Sequence, residues 1–91
     1  MVVDRRKDMN SSKIIKGLRG KRLLSQENVA ELMNMSRQTY NTLENDMLHV
    51  DFTLIFKLLS VLDTNELDID EFFNAIKQDY MSYKELNQLE K

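Results

Sequence analysis

The segment from Ser25 to Asp46, SQENVAELMNMSRQTYNTLEND, leaves this chain few folds, because its apolar residues keep a helical period on both sides of a short break. Val29, Ala30 and Met33 stand at i, i+1 and i+4, on one face of a short helix, and Tyr40 and Leu43 mark the inner face of a second. Between them lies Asn34-Met35-Ser36. Asparagine tolerates the left-handed backbone that ends a helix abruptly, and serine is a favoured cap for the helix that follows. Ala30 is small enough for the second helix to cross close over the first.

The spacing leaves Arg37, Gln38, Asn41 and Thr42 on the outer face of the second helix, and their donors and acceptors match base edges in the major groove of DNA. With those residues in place, the segment resembles the helix-turn-helix of the Cro/CI-like repressors, the XRE family, over about Ile15 to Phe73. Ile15-Lys16-Gly17-Leu18-Arg19 resembles the family's first helix, and Ser25-Gln26-Glu27 the start of its second. Ser36-Arg37-Gln38-Thr39 resembles the opening of the recognition helix and Leu43-Glu44-Asn45 its end. The resemblance implies an all-α, compact five-helix Cro/CI repressor-like domain with a central helix-turn-helix and a C-terminal helix that can extend beyond it.

It also implies roles. Arg37, Gln38, Asn41 and Thr42 are the expected base readers, arginine suiting the paired acceptors of guanine and glutamine the acceptor and donor of adenine. Gln26, at the first turn of its helix, is expected to donate to a phosphate oxygen, and Ser36, Thr39, Lys16, Lys21 and His49 are the other expected phosphate contacts. Arg19 and Glu44 match positions that form a structural ion pair between the first helix and the end of the recognition helix. The chain departs from the family after Asn45, where Asp46-Met47-Leu48-His49-Val50 replaces a glycine and a basic loop, and at Leu23, where glycine or asparagine is frequent.

Charge is polarised along the chain. The net charge is −2, yet residues 1–45 carry nine Lys or Arg against five Asp or Glu, and residues 46–91 carry four against ten. A basic half that includes Arg5, Arg6, Lys7, Lys13, Lys16, Lys21 and Arg22 is what a phosphate-facing side requires, with the acidic half turned away. The 91 residues suffice for one modest core. There is no cysteine for a disulfide or thiolate site, no signal-like apolar stretch at the N-terminus, and no apolar run near the roughly 20 residues of a membrane span, so a cytoplasmic protein is expected.

Periodicity predicts five helices, over about Ser12–Leu23, Gln26–Met33, Arg37–Asn45, Phe52–Leu62 and from Asp68 towards Leu89. Asn10-Ser11-Ser12 reads as the cap of the first and Asp51 as the cap of the fourth. Ile55, Phe56, Leu58, Leu59 and Leu62 form the expected core centre. The expected division is a basic arm over residues 1–11, the helix-turn-helix domain over 12–73 and a helical extension over 74–91. In that extension Phe73, Ile76, Tyr80 and Tyr83 make a stripe that either covers the domain's own core or packs against a second subunit.

Two other chemistries fail on residues. A calcium loop counted from Asp63 puts Asp68 where glycine is essential and Asn74 where a bidentate glutamate belongs. For catalysis there is no cysteine nucleophile, no phosphate-cradling glycine loop and only one histidine, so neither an enzyme nor a cofactor is expected. The expected function is a sequence-specific, repressor-like transcriptional regulator, a homodimer on an inverted-repeat operator in double-stranded DNA. The alternative is an antitoxin-like module that binds DNA together with a partner protein held by the acidic C-terminal half.

Overall fold

The computed structural model of the chain describes residues 9–89, which form five α-helices and one 3-10 turn with no strand among them. They are α1 (Asn10–Lys21), α2 (Gln26–Leu32), α3 (Arg37–Asn45), the 3-10 turn (Met47–His49), α4 (Phe52–Val61) and α5 (Glu66–Leu89). The all-α, five-helix expectation is therefore met, and α3 has the bounds its sequence predicts. The basic cluster Arg5-Arg6-Lys7 lies outside the described residues.

Three of the connections repeat one device. α1, α2 and α4 each end on a left-handed residue, Leu23 (φ 56°), Asn34 (φ 59°) and Asp63 (φ 52°). At each, the left-handed N–H and the next N–H turn back onto the preceding turn's carbonyls: Leu23 to Gly20 (3.1 Å) and Leu24 to Arg19 (3.0 Å), Asn34 to Glu31 and Met35 to Ala30, Asp63 to Ser60 and Thr64 to Leu59. These paired bonds satisfy carbonyls that a helix end otherwise leaves orphaned. Asparagine and aspartate accept that conformation readily, whereas branched Leu23 does so at a cost. Gly17 and Gly20 are not used in turns; both are exposed in α1, and a Cβ at either would meet nothing within 4 Å.

The starts of α2, α3 and α4 are capped locally, at Ser36 and Asp51 as the sequence predicts. Ser25 and Asn28 form a reciprocal capping box at α2, Ser36 Oγ accepts the Thr39 N–H at 3.0 Å, and Asp51 accepts from Thr53. α5 begins two residues earlier than its sequence predicts, because Asn65 and Asp68 cap each other's backbone N–H groups at 2.8 and 3.2 Å. The start of α1 differs most. Asn10, Ser11 and Ser12 lie inside the helix, with Met9 at the cap position and no side-chain cap of its own. Asp79, far along α5, supplies the missing acceptor: its carboxylate takes the Asn10 N–H (2.9 Å), the Ser11 N–H (3.0 Å) and the Ser11 hydroxyl (2.5 Å). An anion belongs at a helix N-terminus, but here it arrives from another helix.

The core takes Ile15 and Leu18 from α1, Val29, Ala30 and Met33 at the end of α2, and Tyr40 and Leu43 from α3. Met47, Ile55, Leu58, Leu59, Leu62 and Phe72 complete it. Phe56, expected at the centre, is instead exposed and stacks on exposed Phe52 with ring centroids 6.1 Å apart. In α5 the fully buried aromatic is Phe72, and Phe73 is only partly covered, because the helix turns Ala75 and Asp79 towards α1 together with Phe72. α5 runs unbroken through residues 73 and 74. Beyond Asp79 its large side chains are more open, Tyr80 and Tyr83 standing 51% and 43% exposed.

Candidate nucleic-acid interface

α3 owes its position to one buried carboxylate. Glu44 has no exposed surface, and its two oxygens accept four hydrogen bonds: Arg19 Nε (2.7 Å) and a second guanidinium nitrogen (3.1 Å), the Tyr40 hydroxyl (2.6 Å) and Gln26 Nε2 (3.0 Å). Burial alone pushes the Glu44 carboxyl up, but the donors from Arg19, Tyr40 and Gln26 outweigh it and hold the group below the usual carboxylate range. Burial likewise pushes the Tyr40 hydroxyl far up, helped by the adjacent carboxylate, so its proton stays on the Glu44 bond. The Arg19 guanidinium is raised by its bond to Glu44 against the opposing effect of burial. Arg19 also donates to the Leu24 carbonyl (3.1 Å), and Ser12 Oγ donates to the Glu44 carbonyl (2.7 Å), so α1 grips α3 through backbone as well as charge.

Held this way, α3 presents its outer face to solvent. Arg37, Gln38, Asn41 and Thr42 are all exposed, and Gln26 joins Arg37, Gln38 and Asn41 around an open concavity of about 450 Å³. Among the described residues, the side chains of Arg37 and Gln38 make no hydrogen bond, which leaves a guanidinium fork and a complete amide for an outside partner. Thr42 differs: its hydroxyl donates back to the Gln38 carbonyl (3.2 Å), so it offers oxygen lone pairs and a methyl outward.

The expected phosphate contacts divide. Lys16, Lys21 and Thr39 are exposed. Gln26 is otherwise employed: both hydrogens of its amide go inward, to Glu44 Oε1 and to Asn41 Oδ1 (2.9 Å), so the donor expected to meet a phosphate is spent within the fold. The Ser36 hydroxyl is a cap first, accepting from the Thr39 N–H and donating to Thr39 Oγ1 (2.8 Å). His49 lies with Nδ1 2.8 Å from Asp46 Oδ1 and its ring edge-on to Tyr83, a setting whose nearest charge repels anions. Arg22, counted among the basic-face residues, reaches the Asp63 carbonyl (2.7 Å) and ties the ends of α1 and α4 together.

Sequence reasoning missed Asp79, the tertiary cap of α1, for which no local signal exists. It also missed Asn45, whose Nδ2 donates to the Asn41 carbonyl (2.9 Å) and lies 3.2 Å from Asn41 Oδ1. The i, i+4 spacing of Asn41 with Asn45, and of Tyr40 with Glu44, was the available clue. Neither a metal-ligating cluster nor a helix long and apolar enough to cross a membrane occurs among the described residues.

Two short helices at a tight turn, the second braced from behind and polar in front, define a DNA-binding helix-turn-helix protein. A family model described as helix-turn-helix matches residues 15–69, and the chain belongs to that family, the Cro/CI-like or XRE class of DNA-binding, transcription-regulatory proteins. Neither the curated proteins nor the solved structures compared with the chain give a match.

Proposed function

We propose that the protein is a cytoplasmic, sequence-specific, repressor-like regulator that acts by occupying duplex DNA and not by catalysis, reading the major groove with α3. The observation that carries this reading is the exposed face of Arg37, Gln38, Asn41 and Thr42 on a helix anchored through buried Glu44. Arg37 and Gln38 sit in the first turn, where a recognition helix reaches furthest into the groove. Lys16, Lys21 and Thr39 supply phosphate contacts beside it. The basic loop usual after α3 is absent, so fewer contacts of that kind are expected than the fold commonly makes.

The protein acts as a homodimer through the distal part of α5, where Tyr80, Met81, Tyr83 and Leu86 are exposed large side chains in one helical stretch. A two-fold pair of α3 helices about 34 Å apart matches successive major-groove faces and an inverted-repeat site. Selection of binding sites from random duplex DNA tests the reading, followed by Arg37→Ala and Gln38→Ala. Each variant is expected to flatten preference at its own base pair, and Lys16→Ala or Lys21→Ala to reduce the slope of log affinity against log salt by about 0.9. Selected sequences unchanged in both α3 variants would refute the reading face; a concentration-independent monomer in sedimentation would refute the dimer.

A further inference from the structure

We propose that Asn41 reads DNA as a hydrogen-bond donor only, its amide turned and held by Glu44 through Gln26, so that it selects guanine over adenine at the base pair it meets. The inference rests on the reading of α3 as the recognition helix and adds which base chemistry one of its residues accepts.

The orientation follows from a chain of hydrogen bonds with no ambiguity at its origin. A carboxylate held ionised can only accept, so Gln26 must turn its NH₂ towards Glu44 Oε1, 3.0 Å away. The same nitrogen lies 2.9 Å from the Asn41 side chain and has one hydrogen left, so the Asn41 atom facing it must be the oxygen; the reverse orientation would set two NH₂ groups against each other. A second anchor reaches the same conclusion independently. Asn45 donates to the Asn41 carbonyl, an obligate acceptor, and its nitrogen is 3.2 Å from the Asn41 side-chain oxygen. Asn41 Oδ1 therefore has both lone pairs engaged, by Gln26 and Asn45.

What remains of Asn41 for an outside partner is Nδ2, whose hydrogens have no acceptor among the described residues. The bidentate adenine contact of an asparagine uses its oxygen as acceptor and its nitrogen as donor, and half of that pair is committed here. Guanine presents only acceptors, N7 and O6, on its major-groove edge, and a single nitrogen with two hydrogens can satisfy them. Gln38, with both ends of its amide unpartnered among the described residues, keeps the adenine option that Asn41 has lost. The device makes a buried, fold-stabilising charge a determinant of base choice at the surface.

Two measurements on the full chain test this. Side-chain amide exchange by NMR on the ¹⁵N-labelled free protein is expected to show protected Gln26 and Asn45 amide protons and a freely exchanging Asn41 Nδ2. Asn41 protons as protected as those of Gln26 would overturn the orientation, whatever the DNA results. Site selection is then compared for the unmodified protein, Asn41→Ala and Gln26→Met. The position whose preference collapses in Asn41→Ala is expected to be guanine over adenine by about tenfold in the unmodified protein. In Gln26→Met, with folding checked by its melting curve, one lone pair of Asn41 Oδ1 is freed to accept from adenine while Asn45 still holds the other, so that preference is expected to shrink. Adenine at that position, or no position responding to Asn41→Ala, would overturn the proposal. An unmodified protein that selects no sequence at all would instead sink the recognition reading beneath it, while the exchange measurement would still report the amide's orientation.

Discussion

Replacing Glu44 by alanine removes the acceptor on which four donors converge, and the loss can be worked from its surroundings. Arg19 keeps its bond to the Leu24 carbonyl, but its guanidinium, with side-chain exposure of only 16%, loses its counter-charge. Breaking a buried pair by deleting one partner typically costs about 3–5 kcal/mol. The residual exposure of Arg19 places this case towards the lower end. The Tyr40 hydroxyl, fully buried, loses its acceptor, which by itself costs about 1–3 kcal/mol, although the vacated volume can admit a water that recovers part of it. Taken together, a loss of about 3–4 kcal/mol is expected. In a domain of this size each kcal/mol moves Tm by about 4–8 °C, so a fall of about 12–32 °C follows. The assay is thermal and urea unfolding of the unmodified protein, Glu44→Ala, and the double variant Arg19→Met with Glu44→Leu. The double variant is expected to lose less than Glu44→Ala, because it strands no charge. A Tm within about 3 °C of the unmodified protein for Glu44→Ala, where less than 1 kcal/mol would be at stake, would refute the reasoning.

Leu23 is 90% exposed and left-handed, so Leu23→Gly is expected to stabilise by about 1 kcal/mol, read as a raised urea midpoint; a lowered midpoint would mean its side chain contributes more than its backbone strain removes. Asp79→Ala leaves the Asn10 and Ser11 N–H groups and the Ser11 hydroxyl without their acceptor and is expected to cost about 2–3 kcal/mol, with faster amide exchange at the start of α1. Glu44, held below the usual range, contributes stability that is present above the unfolded carboxyl pKa of about 4.3 and is lost as pH falls through the folded value. Tyr40, pushed up, contributes stability that is present below about pH 10 and is lost as pH rises beyond it. Melting profiles of Glu44→Gln and Tyr40→Phe should therefore lose part of the acid and alkaline dependence respectively; profiles parallel to the unmodified protein at both extremes would contradict the coupling.

Much of the fold was legible in the sequence because its signals are local. The helix period, Asn34 at the turn, the caps at Ser36 and Asp51, and the spacing of Val29, Ala30, Met33, Tyr40 and Leu43 all act within a few residues, and the chain folds as they dictate. The resemblance extended that reach to Arg19 and Glu44, which lie 25 residues apart and meet at 2.7 Å. Where the sequence misled, the deciding partner was distant or the helical phase was finely balanced. Asn10-Ser11-Ser12 reads as a cap until Asp79 arrives from α5 to replace it, and Phe56 reads as core because an apolar side chain does not announce which neighbours its helix will have.

The sequence by itself determined five helices, the turn at Asn34, and a polar outer face on α3 in Ser25 to Asp46, since these depend on local backbone preference and the 3.6-residue period. Only the tertiary structure decided what each polar atom on that face has left to offer. Gln26 reads in the sequence as a free donor and in the fold as a brace, and Asn41 reads as a two-way amide and in the fold as a donor, because hydrogen-bonding capacity is finite and is allotted by neighbours that only folding assembles.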